Sequence, residues 1–227
     1  MAGSRVKVLV ESGRTKVFAV ALDWPGWARS GKTDEAALET LEAYAPRYAE
    51  VVGRAGEEVP GGLAFTVFER LRGSGATDFG IPHEVAAADS RRWTGREAER
   101  QISIMKAAWA YVDEVADAAT PTLAKGPRGG GRDRDPVLRH VLGAEAAYGR
   151  SIGVRHREPE LGDEAAIAAM RADIVEVLSQ PSSGGPIGGA RGWPARYAAR
   201  GSSGTSSTTP GRSRTRPAET GSPSDSD

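Results

Sequence analysis

The spacing of the apolar residues sets what this chain can fold into, because it changes character along the sequence. At the N-terminal end, Val6, Val8 and Val10 alternate with Lys7, Leu9 and Glu11, and this period of two predicts a strand with one strongly apolar face. Ser12-Gly13-Arg14 has turn chemistry, and the near-continuous run Val17 to Leu22 predicts a second, more buried strand, so the two form a hairpin. Asp23-Trp24-Pro25-Gly26-Trp27 interrupts the run, since Pro25 has no N–H to give to a ladder. A short third strand follows over Ala28 to Ser30. Thr33 is a good helix N-cap, and Asp34 and Glu35 suit the positive end of a helix. That helix presents Leu38, Leu41, Ala45 and Tyr48 at helical spacing, with Pro46 kinking or splitting it. Leu63 to Arg70 predicts a last strand, with Phe65 and Val67 on one face. Residues 1–72 therefore read as a small β-β-β-α-β domain.

Beyond a linker-like stretch over 73–92, opened by Gly73-Ser74-Gly75, the spacing becomes helical. Thr94-Gly95-Arg96-Glu97 is a capping box. Behind it Ile102, Met105, Trp109, Val112 and Ala116 recur at steps of three and four, which predicts a long amphipathic helix ended by Pro121. Residues 126–134 read as a flexible crossover. Asp135-Pro136 opens a second helix, with Asp at the cap and Pro at the first position. A third helix starts near Asp163 and carries Ile167, Met170, Ile174 and Val177. Past Ser179 the pattern stops, leaving an aromatic island at Trp193, Pro194 and Tyr197. From Gly201 to Asp227 the only apolar side chain is Ala218, too little to offset the ordering entropy of that segment. The expected fold class is α+β: the N-terminal β-β-β-α-β domain, an incomplete up-down helical bundle over 93–198 with its last helix missing, and a disordered tail over 199–227. Three helices with an uncovered apolar face imply marginal stability or self-association, in the simplest case a homodimer.

Composition narrows the chemistry. The 227 residues hold Lys+Arg 30 against Asp+Glu 30, so no global positive field exists to attract nucleic acid or an anionic membrane. Cysteine is absent, which removes disulfides, thiolate nucleophiles and Cys-based zinc sites and fits a cytoplasmic setting. No apolar stretch reaches the length of a signal core or a membrane span. The Arg/Gly run over 126–134 reads as a loop rather than a phosphate contact, because no aromatic platform interleaves it. Asp23 reads as a turn former, and Arg96, Glu97 and Glu99 as a solvated helix start.

Two resemblances add to this reading. Ala19-Val20-Ala21-Leu22-Asp23-Trp24-Pro25-Gly26-Trp27, followed by Ala28 to Ala36 with its Thr33-Asp34-Glu35-Ala36, resembles the HicB-like antitoxin fold. That family has a strand, an aromatic-Pro-Gly turn, a short strand and a capped helix in this order, and the resemblance implies a module that docks a protein partner. No DNA-binding helix-turn-helix or ribbon accompanies it. The helical region resembles the DinB/YfiT-like four-helix bundle through Trp109 on its first long helix, Arg134-Asp135-Pro136-Val137-Leu138-Arg139-His140-Val141, and then Glu145 and Tyr148. The second resemblance implies a metal-dependent, thiol-using transferase or hydrolase. Its three His would hold a divalent metal, Zn or Ni, that activates water or a thiol cofactor. One ligand comes from the second helix, where His140 matches it. The other two form a His-x-x-x-His pair on the last helix, and no His follows His156. Weak or no metal binding is therefore expected of this chain. His83 and His156 fall in loops and read as solvated.

The genetic code suggests where that pair went. When Gly204 to Thr215 are read in the frame that borrows the last base of each preceding codon, Gly gives a codon ending GG, Thr one ending AC, and Ser (TCN) one ending TC. Pro gives a codon ending CC and Arg (AGR) one ending AG. The alternative frame can spell Trp-His-apolar-apolar-Asp-His-Ala-Trp-Glu-apolar-Glu-Asp, an amphipathic helix with His-x-x-x-His. On this reading the tail is a frameshifted product, and Thr205 and Thr209 stand where two ligands would be.

Overall fold

The computed structural model describes residues 5–120 and 133–208, with side chains through residue 202. The elements run β1 (Arg5–Ser12), β2 (Val17–Ala21), β3 (Ala28–Gly31), α1 (Asp34–Ala43), α2 (Ala45–Gly53), β4 (Ala64–Arg72), α3 (Gly75–Phe79), a 3₁₀ turn (Ala87–Ser90), α4 (Gly95–Ala118), α5 (Arg134–Ser151), α6 (Glu164–Ser179), β5 (Pro186–Ile187), β6 (Trp193–Pro194) and α7 (Ala195–Thr208). The α+β class expected from the sequence is what the chain adopts.

β1 pairs antiparallel with β2 and parallel with β4, and the sheet order is β3-β2-β1-β4. As a central strand β1 is covered on both faces, so Val8, Leu9 and Val10 are all fully buried. On one face Val6, Val8, Val10, Val17, Ala19 and Ala21 meet Ala37, Leu41, Tyr48 and Val52 of α1 and α2. Pro46 splits the helix rather than kinking it, since it lies in the first turn of α2, where a missing N–H costs nothing. The Asp23–Trp27 turn is pinned to these helices. Trp27 Nε1 donates to the Leu41 carbonyl at 2.9 Å, and the Tyr48 hydroxyl donates to the Pro25 carbonyl at 2.8 Å. Gly26 takes a φ of 86°, a left-handed conformation that a side chain would strain.

The opposite face corrects the linker expectation. Residues 73–92 lie along the sheet, with Ala86 and Ala88 packed on Leu9, Phe18, Val20 and Leu22. Three carboxylates fasten this strap. Glu11, fully buried, accepts the Thr77 hydroxyl at 2.6 Å and the backbone N–H groups of His83 and Glu84 at 3.0 Å. Asp78 accepts the N–H groups of Arg14, Thr15 and Lys16 in the β1–β2 turn. Glu69 accepts that of Ala87. The glycines suggested a flexible connector because the acceptors that order it lie far away in sequence.

α4 starts at the expected capping box and sends Ile104 into the sheet domain's core, while Met105, Trp109 and Ile102 face the helical core. α5 begins slightly earlier than expected, behind Asp133, and Asp163 caps α6 as expected. The last helix is a second correction. Residues 195–208 form α7, which packs against both α4 and α5, as α6 also does. Ala195, Ala198 and Ala199 belong to the helical core, so the face expected to be uncovered is closed. α7 also ties the helices to the strap. Arg200 pairs with the buried Asp89, the Tyr197 hydroxyl donates to the His83 carbonyl, and Arg196, almost fully buried, pairs with Glu97 at 2.8 Å. Glu97 is thus a partner in a junction rather than a solvated charge. Residues 209–227 of the expected tail, and 126–132 of the expected crossover, lie outside the described residues.

Candidate functional site

The sheet presents Phe68 on its outer strand, β4, with the ring exposed. β4 ends the sheet order, so among the described residues its outer edge has no strand partner. Its register against β1 shifts between Val8 and Leu9, which leaves Phe68 as the extra, bulged residue. Phe68 is 51% exposed, with the Lys7 ammonium 5.3 Å from its ring centroid. In the strap that follows, Phe79 is 80% exposed, and Ile81 and Val85 also face solvent. The sequence puts Phe65 and Val67 on one face of this strand and does not mark Phe68, which the register shift leaves at the bulge. Nothing local in sequence marked Phe79 as exposed.

The helical unit holds a buried charge centre. Arg171 on α6 forks onto Glu145 on α5, Nε to Oε2 at 2.9 Å and Nη2 to Oε1 at 3.2 Å, and Nη1 reaches Asp113 Oδ2 on α4 at 2.7 Å. The same guanidinium stands 5.1 Å from the Trp109 ring centroid. Burial would lower the Arg171 pKa, but the two carboxylates outweigh it and hold the group above its ordinary value. Glu145 shows the reverse: burial pushes its carboxyl above the usual range, and the bonds and charge of Arg171 reverse this only in part. The asymmetry has a physical cause. Arg171 gains two anions, whereas Glu145 gives up all its water for one cation. Beside this centre a cavity of about 440 Å³ opens between the ends of α4, α5 and α6, with Arg171 in its wall.

His140 lies on α5, exposed. Thr205 lies on α7, and Thr209 is outside the described residues. The donor set does not fit a three-imidazole metal site. Among the described residues no three His, Asp or Glu groups lie together so as to hold an ion. His156 Nε2 is hydrogen-bonded to Asp173 Oδ2 at 2.7 Å, and the His83 side chain is exposed while its backbone serves the strap. Among the described residues no helix is long and apolar enough to cross a membrane. No protein-family model, curated protein or solved structure matches the chain.

Proposed function

We propose that the chain works as a protein-binding module: a HicB-like α/β domain that offers the β4 edge to a partner, carried on a DinB-like helical bundle whose metal chemistry is lost in this copy. The observation that carries this reading is Phe68, a large aromatic held in solvent on a bulge of an edge strand. Exposed edge strands invite pairing, and an adjoining aromatic gives the incoming chain an apolar anchor. The Asp23–Trp27 turn, the short β3 and the Thr33-capped α1 stand in the order the HicB-like resemblance calls for, and they support it. A photo-crosslinking side chain at position 68 tests the reading in extract from the native host. One discrete crosslinked species is expected, competed away by excess wild-type chain but not by Phe68→Glu. The same species captured from exposed Arg139 would overturn it. A species of twice the chain's mass would make the partner a second copy.

A metal-dependent, thiol-using transferase or hydrolase is the second reading, for relatives with the full ligand set. α7 favours it, since it is a helix packed on α4 and α5 that carries Thr205, one of the two positions where the shifted frame puts His. Metal analysis of the purified protein decides for this chain: stoichiometric zinc or nickel, lost in His140→Ala, would restore the enzymatic reading. Resequencing around codon 200 decides the frame. Homologues ending in the same Ser/Thr/Pro tail would sink the frameshift.

A further inference from the structure

The cavity between α4, α5 and α6 has apolar walls, formed by Leu138, Val141 and Leu142 on α5, Ile167 on α6, Leu161 before it and Val112 on α4. Its volume, about 440 Å³, lies within the range of small-molecule sites. The charges around it are unequal. Among the described residues two cations line the cavity, and both are committed. Arg134 gives Nε to Asp135 Oδ1 at 2.8 Å and Nη1 to the Ala119 carbonyl at 3.1 Å. Arg171 is neutralised by Glu145 beneath it. The lining carboxylates are Asp113, Asp117 and Glu164. Asp113 shares a guanidinium that Glu145 already balances, and Asp117 and Glu164 have no ion-pair partner among the described residues. An apolar chamber with surplus negative charge among its lining groups complements one ligand chemistry.

We propose that this cavity binds a small organic cation: an amine whose apolar body lies against Leu138, Val141, Leu142 and Ile167 and whose ammonium meets Asp117 and Glu164. A neutral ligand of the same shape would leave those carboxylates unused. A carboxylate ligand would face them with no free cation among the described lining residues, since Arg134 and Arg171 are already paired. The site is separate from the β4 edge and stands whether or not that edge binds a partner.

Three probes with the same six-carbon chain and different head groups test the proposal by calorimetric titration of the full chain at low ionic strength. Hexylammonium is expected to bind saturably at one site. Hexanol is expected to bind about ten-fold more weakly, and hexanoate more weakly still. The double substitution Asp117→Asn with Glu164→Gln should weaken hexylammonium about ten-fold while leaving the unfolding temperature unchanged, because both side chains are exposed. Ile167→Trp should abolish binding by filling the chamber. No saturable heat with hexylammonium, hexanol binding as tightly as hexylammonium, or full affinity in the double variant would each overturn the proposal.

Discussion

Arg171 and Glu145 join α6 to α5 through a two-point fork, at 2.9 and 3.2 Å, with the Glu145 side chain wholly removed from water. Removing either partner is not equivalent. Arg171→Met leaves a buried carboxylate without a counter-charge and is expected to cost about 3–5 kcal/mol. Glu145→Gln keeps the shape, and Arg171 retains Asp113, so the expected cost is about 1–2 kcal/mol. Urea unfolding of both variants measures the difference, and equal costs would show that Glu145 is not the desolvated member of the pair.

The same burial sets a pH dependence. Because burial raises the Glu145 pKa, the folded chain keeps that proton to a higher pH than the unfolded chain does. In the window from the ordinary value of 4.5 up to the raised one, the native state binds more protons, so the Glu145 contribution falls as pH rises. Wild-type stability measured against Glu145→Gln is expected to be most favourable below pH 4.5 and to decline as pH climbs through the window. A difference that grows with pH over that range contradicts the assignment.

Local patterns were legible in the sequence wherever the cause of a structure lay within a few residues. The Val6-Val8-Val10 alternation, the Thr33 and Thr94 caps and the Asp163 start of α6 all appear where the chain predicts them. Structure held by distant partners was not legible. The strap over 73–92 is ordered by Glu11, whose partners lie 66 to 73 positions away. Arg171 finds Asp113 across 58 positions. α7 was missed for another reason: it packs through Ala195, Ala198 and Ala199, whose small side chains give almost no apolar signal yet allow close approach to α4 and α5.

The strap can be loosened at one atom pair. Glu11→Gln replaces one accepting oxygen with an amide that cannot accept: with Oε1 kept by the Thr77 hydroxyl, the Glu84 N–H loses its acceptor, while the His83 N–H, bonded to both oxygens, keeps one. An unsatisfied buried donor costs about 1–3 kcal/mol. Amide hydrogen exchange at Glu84 is therefore expected to quicken more than at His83 in Glu11→Gln, and at neither in Glu39→Gln on the exposed side of α1. Unchanged protection at Glu84 would mean that the apolar contacts of Ala86 and Ala88 hold the strap without the carboxylate.

α7 is expected to be indispensable to the helical unit despite its weak apolar signal. Ala198 is fully buried where α7 faces the helical core. Ala198→Asp places an unpaired carboxylate there and should destabilise the chain by about 3–5 kcal/mol. Arg191→Ala, in the exposed turn before β6, should change little. A chain ended after Pro194 loses the cover over α4 and α5, and should bind a hydrophobic dye and form oligomers at concentrations where the full chain does not. Thermal unfolding and light scattering check both outcomes. If the shortened chain stayed monomeric and unfolded at the wild-type temperature, the core would be closed by α4, α5 and α6 alone, and α7 would be an accessory to it.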